Sequence, residues 1–125
     1  MTAPPLPADG EALLAEHPPE LQQIERRLRE VIFGARSDLT EYVDMGNKLL
    51  GYAVGPKMRD LCFAIIAHKS HVNLQVADGV ELADPDGIVE GTGKRIRHVK
   101  VRSLEEAERP ALRRLIDEEL ALKDA

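Results

Sequence analysis

The stretch that decides the fold runs from residue 61 to residue 76 and reads LCFAIIAHKSHVNLQV. Two short apolar runs, 61–68 and 71–77, flank the polar pair Lys69-Ser70. β-Branched residues and alternating polarity are typical of strands. A connection this short joins antiparallel neighbours, because a parallel crossover needs about a dozen residues or more. The sequence therefore predicts an antiparallel hairpin at the centre of the chain.

Further strands are predicted on both sides of this hairpin. Residues 41–46 and 48–54 are two runs rich in Leu, Val and Tyr that precede it. A fifth strand is predicted over residues 97–102, after the loop that contains residues 84–87. Short turns again imply antiparallel pairing. These turns are Gly46-Asn47, Gly55-Pro56-Lys57 and Asp78-Gly79.

Helical periodicity lies on both sides of the predicted sheet. Pro19 suits the first position of a helix and Gly34 its end. Ser103 and Glu106 fit a capping box, and Pro110 suits the start of the last helix. We therefore predict a single-domain α+β fold, with N- and C-terminal helices packed on one face of an antiparallel sheet of five or six strands. The other face is then partly open to water. The apolar helix stripes are Leu21, Ile24, Leu28, Val31 and Ile32, and Leu112, Leu115, Ile116 and Leu120.

The N-terminal part differs from the rest in composition. Residues 1–18 are Pro-rich and are predicted to be a loose segment before the domain at 19–125. Within it, residues 11–16 suit one or two helical turns. The start lacks the basic and apolar regions of a secretory signal. No apolar run approaches the ~20 residues of a membrane helix. We expect a cytoplasmic protein with no membrane partner.

The overall composition is that of one globular domain. Of the 125 residues, 43% are hydrophobic and 31% charged, and the net charge is -5. An acidic chain with 3% aromatics and no Trp is poorly suited to nucleic acid. The single cysteine, Cys62, cannot form an internal disulfide, and its apolar neighbours predict a buried structural thiol.

A basic surface is nevertheless predicted on this acidic chain. Alternation turns Val72, Leu74 and Val76 to one side and leaves the intervening side chains on the open face. Arg and Lys are suited to carboxylates and phosphates. We expect a small anionic ligand or an acidic partner to bind here; an ordinary solvated sheet face is the alternative. If the fourth and fifth strands are neighbours, their outward polar residues share one face, with Gln75 and Arg102 among them. The candidate residues are Lys69, His71, Asn73, Lys94, Arg95, Arg97, His98 and Lys100.

Several short motifs lead to no catalytic prediction. The His-Lys-Ser-His run at 68–71 has no further metal-binding spacing, so a polar hairpin is favoured over a metal site. The loop at 91–94 departs from the Walker pattern, and residues 84–87 are predicted to be a turn rather than a calcium loop. His71 and His98 suit acid–base chemistry near neutral pH, but no nucleophile or cofactor motif joins them. We therefore predict a non-catalytic protein without an identified cofactor.

Two stretches resemble motifs of the YdhG-like proteins, a family described as a domain of unknown function. They are residues 69–74, KSHVNL, and residues 91–100, GTGKRIRHVK. The resemblance extends over about residues 19–120, and the second motif is the more specific. It implies a compact α+β fold with a five- or six-stranded antiparallel sheet.

The resemblance also implies a second function, because some YdhG-like proteins are described as frataxin-like iron chaperones. Iron would then be delivered for cluster or haem assembly. Frataxin-type iron binding depends on a carboxylate-rich edge of the first helix. Here that helix carries Arg26, Arg27 and Arg29 among its acids, and their charge opposes cation binding. The carboxylates considered for iron are Glu16, Glu20, Asp117, Glu118 and Glu119.

Overall fold

A five-stranded antiparallel sheet, in which every strand pairs with the next one along the chain, forms the centre of the computed structural model. The structure describes residues 3–124. Helices precede and follow the sheet, so the predicted α+β fold is confirmed, with five strands. The elements are α1 (Ala8–Ala15), α2 (Pro19–Ala35), β1 (Thr40–Asp44), β2 (Leu49–Ala53), β3 (Leu61–Ala67), β4 (Val72–Val76), β5 (Arg97–Val101), α3 (Leu104–Ala107) and α4 (Pro110–Asp124).

The central hairpin of β3 and β4 is formed as the sequence predicts. Ile65 pairs with Leu74, and Ala67 pairs with Val72. The backbone N–H of His68 donates to the carbonyl oxygen of His71 at 2.8 Å and closes the turn. Because side chains alternate along a strand, this register puts Phe63 and Ile65 on the same side as the valines of β4.

The helices cover one side of the sheet and form an aliphatic core with it. Leu28 and Ile32 of α2 are fully buried, as are Leu112 and Ile116 of α4. They belong to the same cluster as the inward residues of the strands. None of the helices in residues 3–124 combines the length and the apolar character needed to cross a membrane.

A charged network also lies inside this layer. The guanidinium of Arg29 donates to both carboxylate oxygens of Glu41 at 2.6 and 2.8 Å, and the hydroxyl of Tyr52 donates to Glu41 at 2.6 Å. Arg29 and Tyr52 are buried. A buried charge is tolerated only where it is paired and hydrogen-bonded, and both conditions are met here.

The N-terminal segment differs from the loose segment expected for residues 1–18. Residues 8–15 form α1, and its Leu13 and Leu14 are fully buried in the common core. His17, which follows α1, lies 2.8 Å from the carboxylate of the buried Glu25 on α2. Burial of these two adjacent leucines holds α1 against the core.

Candidate functional site

The open face of β4 and β5 carries a row of polar side chains. In the register of these two strands Asn73 pairs with Lys100 and Gln75 pairs with His98. Val72 pairs with Val101, so His71 and Arg102 are the next residues outward on their strands. The structure therefore places the polar residues of β4 and β5 opposite one another.

Two histidines meet at the β3–β4 turn beside this row. The rings of His68 and His71 are stacked, with centroids 5.0 Å apart and 16° between their planes. The Nδ2 of Asn73 lies 3.1 Å from the Nε2 of His68. The Oδ1 of Asn73 is buried and has no hydrogen-bond partner among residues 3–124. Stacked rings point their nitrogens sideways, so the pair does not converge on a common metal position.

The electrostatic environment of His71 is positive. Partial burial lowers the pKa of His71, and the neighbouring His68, Lys100 and Arg102 lower it further by repulsion. Lys100 has a distant carboxylate partner, Glu90, with 3.9 Å between Nζ and Oε1. We name His68, Lys69, His71, Lys100 and Arg102 the cationic cluster. Within residues 3–124, Lys69 and Arg102 have no carboxylate within ion-pair distance.

Three candidate residues of the β4–β5 loop lie outside the cationic cluster. Arg95 donates to the buried Asp78 at 2.5 Å, so its charge is already compensated. Arg97 pairs with the buried Val76 and alternates with His98, which turns it to the helix side of the sheet. Its Nε donates to the carbonyl oxygen of Gly93 at 2.6 Å. Lys94 is exposed on the same loop, which leaves Lys69, His71, Asn73, His98 and Lys100 from the predicted set on the open face.

The other half of the open face is apolar, which the sequence analysis missed. One row across the sheet consists of Tyr42, Gly51, Ala64, Gln75 and His98 in paired positions. The ring of Tyr42 lies directly over Gly51, where any Cβ would collide with it. The signal was present in β3, where seven residues without a charge, LCFAIIA, are typical of a strand that is covered on both faces.

An apolar groove crosses the end of this half. Two adjoining hollows of about 270 Å³ and about 200 Å³ share Met58 and Leu61 in their walls. The side chain of Met58 is 91% exposed, that of Ile96 47% and that of Tyr42 40%. We name this feature the apolar groove. Its lining residues are Thr40, Tyr42, Ala53, Gly55, Pro56, Lys57, Met58 and Leu61 on one side, and Ala77, Arg95 and Ile96 on the other.

A second group of ionisable residues lies at the end of β4, between this strand and α4. The carboxylate of Asp78 accepts from the Nζ of Lys123 at 2.7 Å, and its backbone N–H donates to Glu119 at 3.0 Å. Glu119 is fully buried, and burial together with the neighbouring Asp78 raises its pKa to about 8. Burial pushes the pKa of Asp78 upward, but hydrogen bonds from Glu119, Lys123 and Arg95 hold it well below its usual value. The neighbouring carboxyl groups therefore titrate as a coupled pair, with the proton favoured on Glu119.

A polar cleft of about 570 Å³ lies next to this acid pair. Its walls include Arg59 and Asp60 as well as Asp78 and Lys123. Glu119 is not part of the wall, so the protonated carboxyl faces the protein interior. The pair joins helix α4 to the end of β4 and forms a structural contact rather than an open reaction centre.

The carboxylates considered for iron are separated in the structure. Glu16 is paired with Lys48, Asp117 with Arg113, and Glu118 accepts from a backbone N–H of the β4–β5 connection. Glu20 is exposed at the start of α2, and Glu119 belongs to the buried pair. Among residues 3–124 no three His, Cys, Asp or Glu side chains are placed to hold one metal ion.

The remaining sequence motifs have structural roles. Asp84 accepts hydrogen bonds from the backbone N–H groups of Ile88 and Val89, both at 3.0 Å, and forms the predicted turn. The hydroxyl of Ser103 accepts from the backbone of Glu106 at 3.1 Å and caps α3. Cys62 is buried as predicted, and burial raises the pKa of its thiol to about 11.

Comparison with known proteins adds no further assignment. No protein-family model matches this chain, and neither a curated protein nor a solved structure is significantly similar to it. The resemblance of residues 69–74 and 91–100 to the YdhG-like proteins therefore stays a prediction.

Proposed function

We propose that this protein is a non-catalytic binding protein whose cationic cluster recognises an anionic group. The supporting observation is geometric: Lys100 in β5 and Arg102 just after it face the His68–His71 turn at one end of the open face, and within residues 3–124 neither Lys69 nor Arg102 has a carboxylate within ion-pair distance. Within residues 3–124, the carboxylate within ion-pair distance of this positive charge is that of Glu90, 3.9 Å from Lys100. A bound anion supplies the missing charge, because opposite charge within ~4–6 Å favours the protonated form of histidine.

The groups in the cluster suit a carboxylate or a phosphate. Arg102 offers a planar fork of donors, Lys100 a point charge, and His71 a third donor when it is protonated. Asn73 and Gln75 extend the same surface with amide groups that can donate and accept. None of these residues has the activated nucleophile or paired base of a catalytic site, which favours recognition over chemistry.

The first test measures the ring titration of His71 by NMR. Sulfate is the probe because it carries two charges throughout the range from pH 5 to 8. We expect sulfate to raise the pKa of His71 and to shift the amide signals of Lys69, Lys100 and Arg102 in a saturable way. Sodium chloride at the same ionic strength is the control, since general screening also weakens repulsion.

Charge-reversal variants decide whether the cluster is responsible. We expect Lys100→Glu combined with Arg102→Glu to abolish the sulfate effect while the domain stays folded by circular dichroism. Arg113→Glu, on the helix side of the sheet, changes an exposed charge of the same kind and should leave sulfate binding intact. A His71 titration that responds equally to sulfate and chloride would refute the proposal.

The iron-delivery alternative is tested on the same labelled protein. Anaerobic Fe²⁺ would broaden signals near Glu16, Glu20 and Asp117 if those acids bind it. Because these carboxylates are separated and partly engaged with cations, we place this function second. Broadening at those acids without any response to sulfate would reverse that order.

A further inference from the structure

The open face combines the cationic cluster with the apolar groove, and together they identify a class of partner. Met58, Ile96 and Tyr42 are three of the large apolar side chains that are substantially exposed. Contiguous exposed apolar surface usually marks an interaction site. Met and Tyr are also among the residues enriched in interfaces, because one adapts its shape and the other is rigid and amphipathic.

Among residues 3–124, the charged side chains around the apolar groove that are engaged in neither an ion pair nor a turn are positive. Lys57 lines one hollow, and the exposed Lys94 lies next to Arg95 at the other, where Arg95 itself is already paired with Asp78. The carboxylate of Asp60, which lies beside Gly55, accepts from the backbone N–H of Lys57 at 2.9 Å and closes the turn there. The rim is therefore complementary to an acidic partner.

The dimensions favour a helix over an extended peptide. The apolar groove crosses the ends of five strands, and four spacings of about 4.8 Å make it roughly 19 Å long. A helix of ~13 residues spans that length at 1.5 Å per residue. Its diameter of ~10 Å leaves one flank over His98, and Lys100, about 13 Å along β5 from Ile96, is within reach of a long acidic side chain on that flank. Strand addition is less suitable, because the groove lies on the face of the sheet and not at its edge.

We propose that the open face docks an amphipathic helical segment of a partner protein, with its apolar stripe in the groove and acidic residues toward Lys57, Lys94 and Lys100. This inference rests on the proposed function, because Lys100 also belongs to the cationic cluster. A second copy of the chain is a poorer occupant, since α2 and α4 already bury their apolar stripes in the core. The complementary charge and the missing apolar cover both point to a separate chain.

The test begins with peptides selected from a random 16-residue display library against the folded protein. We expect the enriched peptides to carry apolar residues at helical spacing and an excess of Asp and Glu. Synthetic copies should become helical on binding and shift the amide signals of Tyr42, Leu61, Ile96 and Lys100. Peptides without acidic excess, or shifts confined to the helix side, would overturn the proposal.

Two variants separate the apolar contribution from the general charge of the protein. Met58→Asp places a charge in the groove and should weaken binding of the selected peptides at least about tenfold, since one large apolar contact is lost. Leu122→Asp makes the matched change at a 38% exposed residue of α4 and should have no effect. Equal binding to both variants would contradict the docking geometry.

The outcomes also separate this inference from the proposed function. If sulfate binds the cationic cluster but Met58→Asp changes nothing, anion recognition stands and the docking proposal fails. If sulfate has no specific effect and the selected peptides are neutral, both fail. Analytical ultracentrifugation at rising protein concentration tests whether a second copy of the chain occupies the groove. A dimer that Met58→Asp abolishes would assign the groove to that second copy and overturn the proposal.

Discussion

The buried acid pair between β4 and α4 makes a quantitative prediction for Glu119→Gln. The pKa of Glu119 rises from its ordinary value of 4.5 to about 8 in the folded protein, because burial and Asp78 disfavour its charged form. Between these two pH values the folded protein holds a proton that the unfolded chain releases. The stability from this protonation is fully present below pH 4.5 and is lost as the pH rises to about 8.

The magnitude follows from the size of the shift. Each pH unit corresponds to about 1.4 kcal/mol, so the wild-type protein should lose on the order of 4 kcal/mol of unfolding free energy from this group by pH 8. Asp78 acts in the opposite range, because its pKa is lowered and its contribution disappears only as the pH falls below its usual value near 4. The combined contribution of Glu119 and Asp78 to the free energy of unfolding is therefore greatest near pH 4 to 5.

The glutamine variant preserves the geometry without the titration. Its Oε1 still accepts from the backbone N–H of Asp78, as Glu119 does at 3.0 Å, and its Nε2 takes the place of Oε2, which has no hydrogen-bond partner among residues 3–124. We expect equal stability near pH 5, within about 1 kcal/mol. Toward pH 8 the variant should become progressively more stable than the wild type, by up to several kcal/mol.

Urea unfolding followed by circular dichroism at several pH values measures this difference, which suits a chain without Trp. Asp117→Asn is the control, because it removes a similar charge from an exposed position of the same helix. The difference between that variant and the wild type should not grow with pH. A Glu119→Gln variant that is less stable by the same amount at every pH would refute the reasoning. It would show instead an ionised Glu119 that pairs with Lys123, 3.8 Å away.

Two further predictions concern other buried groups. Arg29→Met should destabilise the fold by about 3–5 kcal/mol in urea unfolding, because it leaves the carboxylate of Glu41 buried without its charge partner. Tyr52→Phe removes only the hydroxyl donor and should cost about 1–2 kcal/mol. Equal losses in the two variants would show that the ion pair contributes no more than a single hydrogen bond. In the folded protein Cys62 should react with iodoacetamide at pH 8 far more slowly than in the urea-unfolded chain. A thiol with a pKa of about 11 is only about one thousandth ionised at that pH. Equal rates in the folded and unfolded states would contradict its burial.

The order of β1 to β4 was predictable because the connections between these strands are short, whereas the connection over residues 77–96 is long enough for a crossover and left the place of β5 open. Turn residues such as Gly46-Asn47 and Lys69-Ser70 leave no room for a crossover, so consecutive runs must pair with each other. The apolar stripes of α2 and α4 then need one common surface. The packing of α1 was less predictable, because two leucines among prolines give a weak periodic signal and are fixed by tertiary contacts.

The candidate site was only partly predictable for a geometric reason. Alternation along β4 and β5 correctly relates His71, Asn73 and Lys100, because a regular strand fixes which side chains share a face. It does not fix the loop before β5, where Arg95 reaches Asp78 and Arg97 reaches a backbone carbonyl. The ion pair with Asp78 joins residues 17 positions apart, and no local pattern marks it.

The same ion pair also explains how the two halves of the open face are held in place. Asp78 is contacted from the helix side by Lys123 and from the loop side by Arg95. Arg95 lines the apolar groove directly before Ile96, so the buried acid pair fixes the groove wall as well as the end of α4. The fold itself does not require an exposed Met58 and Ile96 beside small residues such as Ala53 and Ala77, because polar side chains would satisfy a solvated face at lower cost. An exposed apolar wall on a fixed support is the feature that supports the docking proposal.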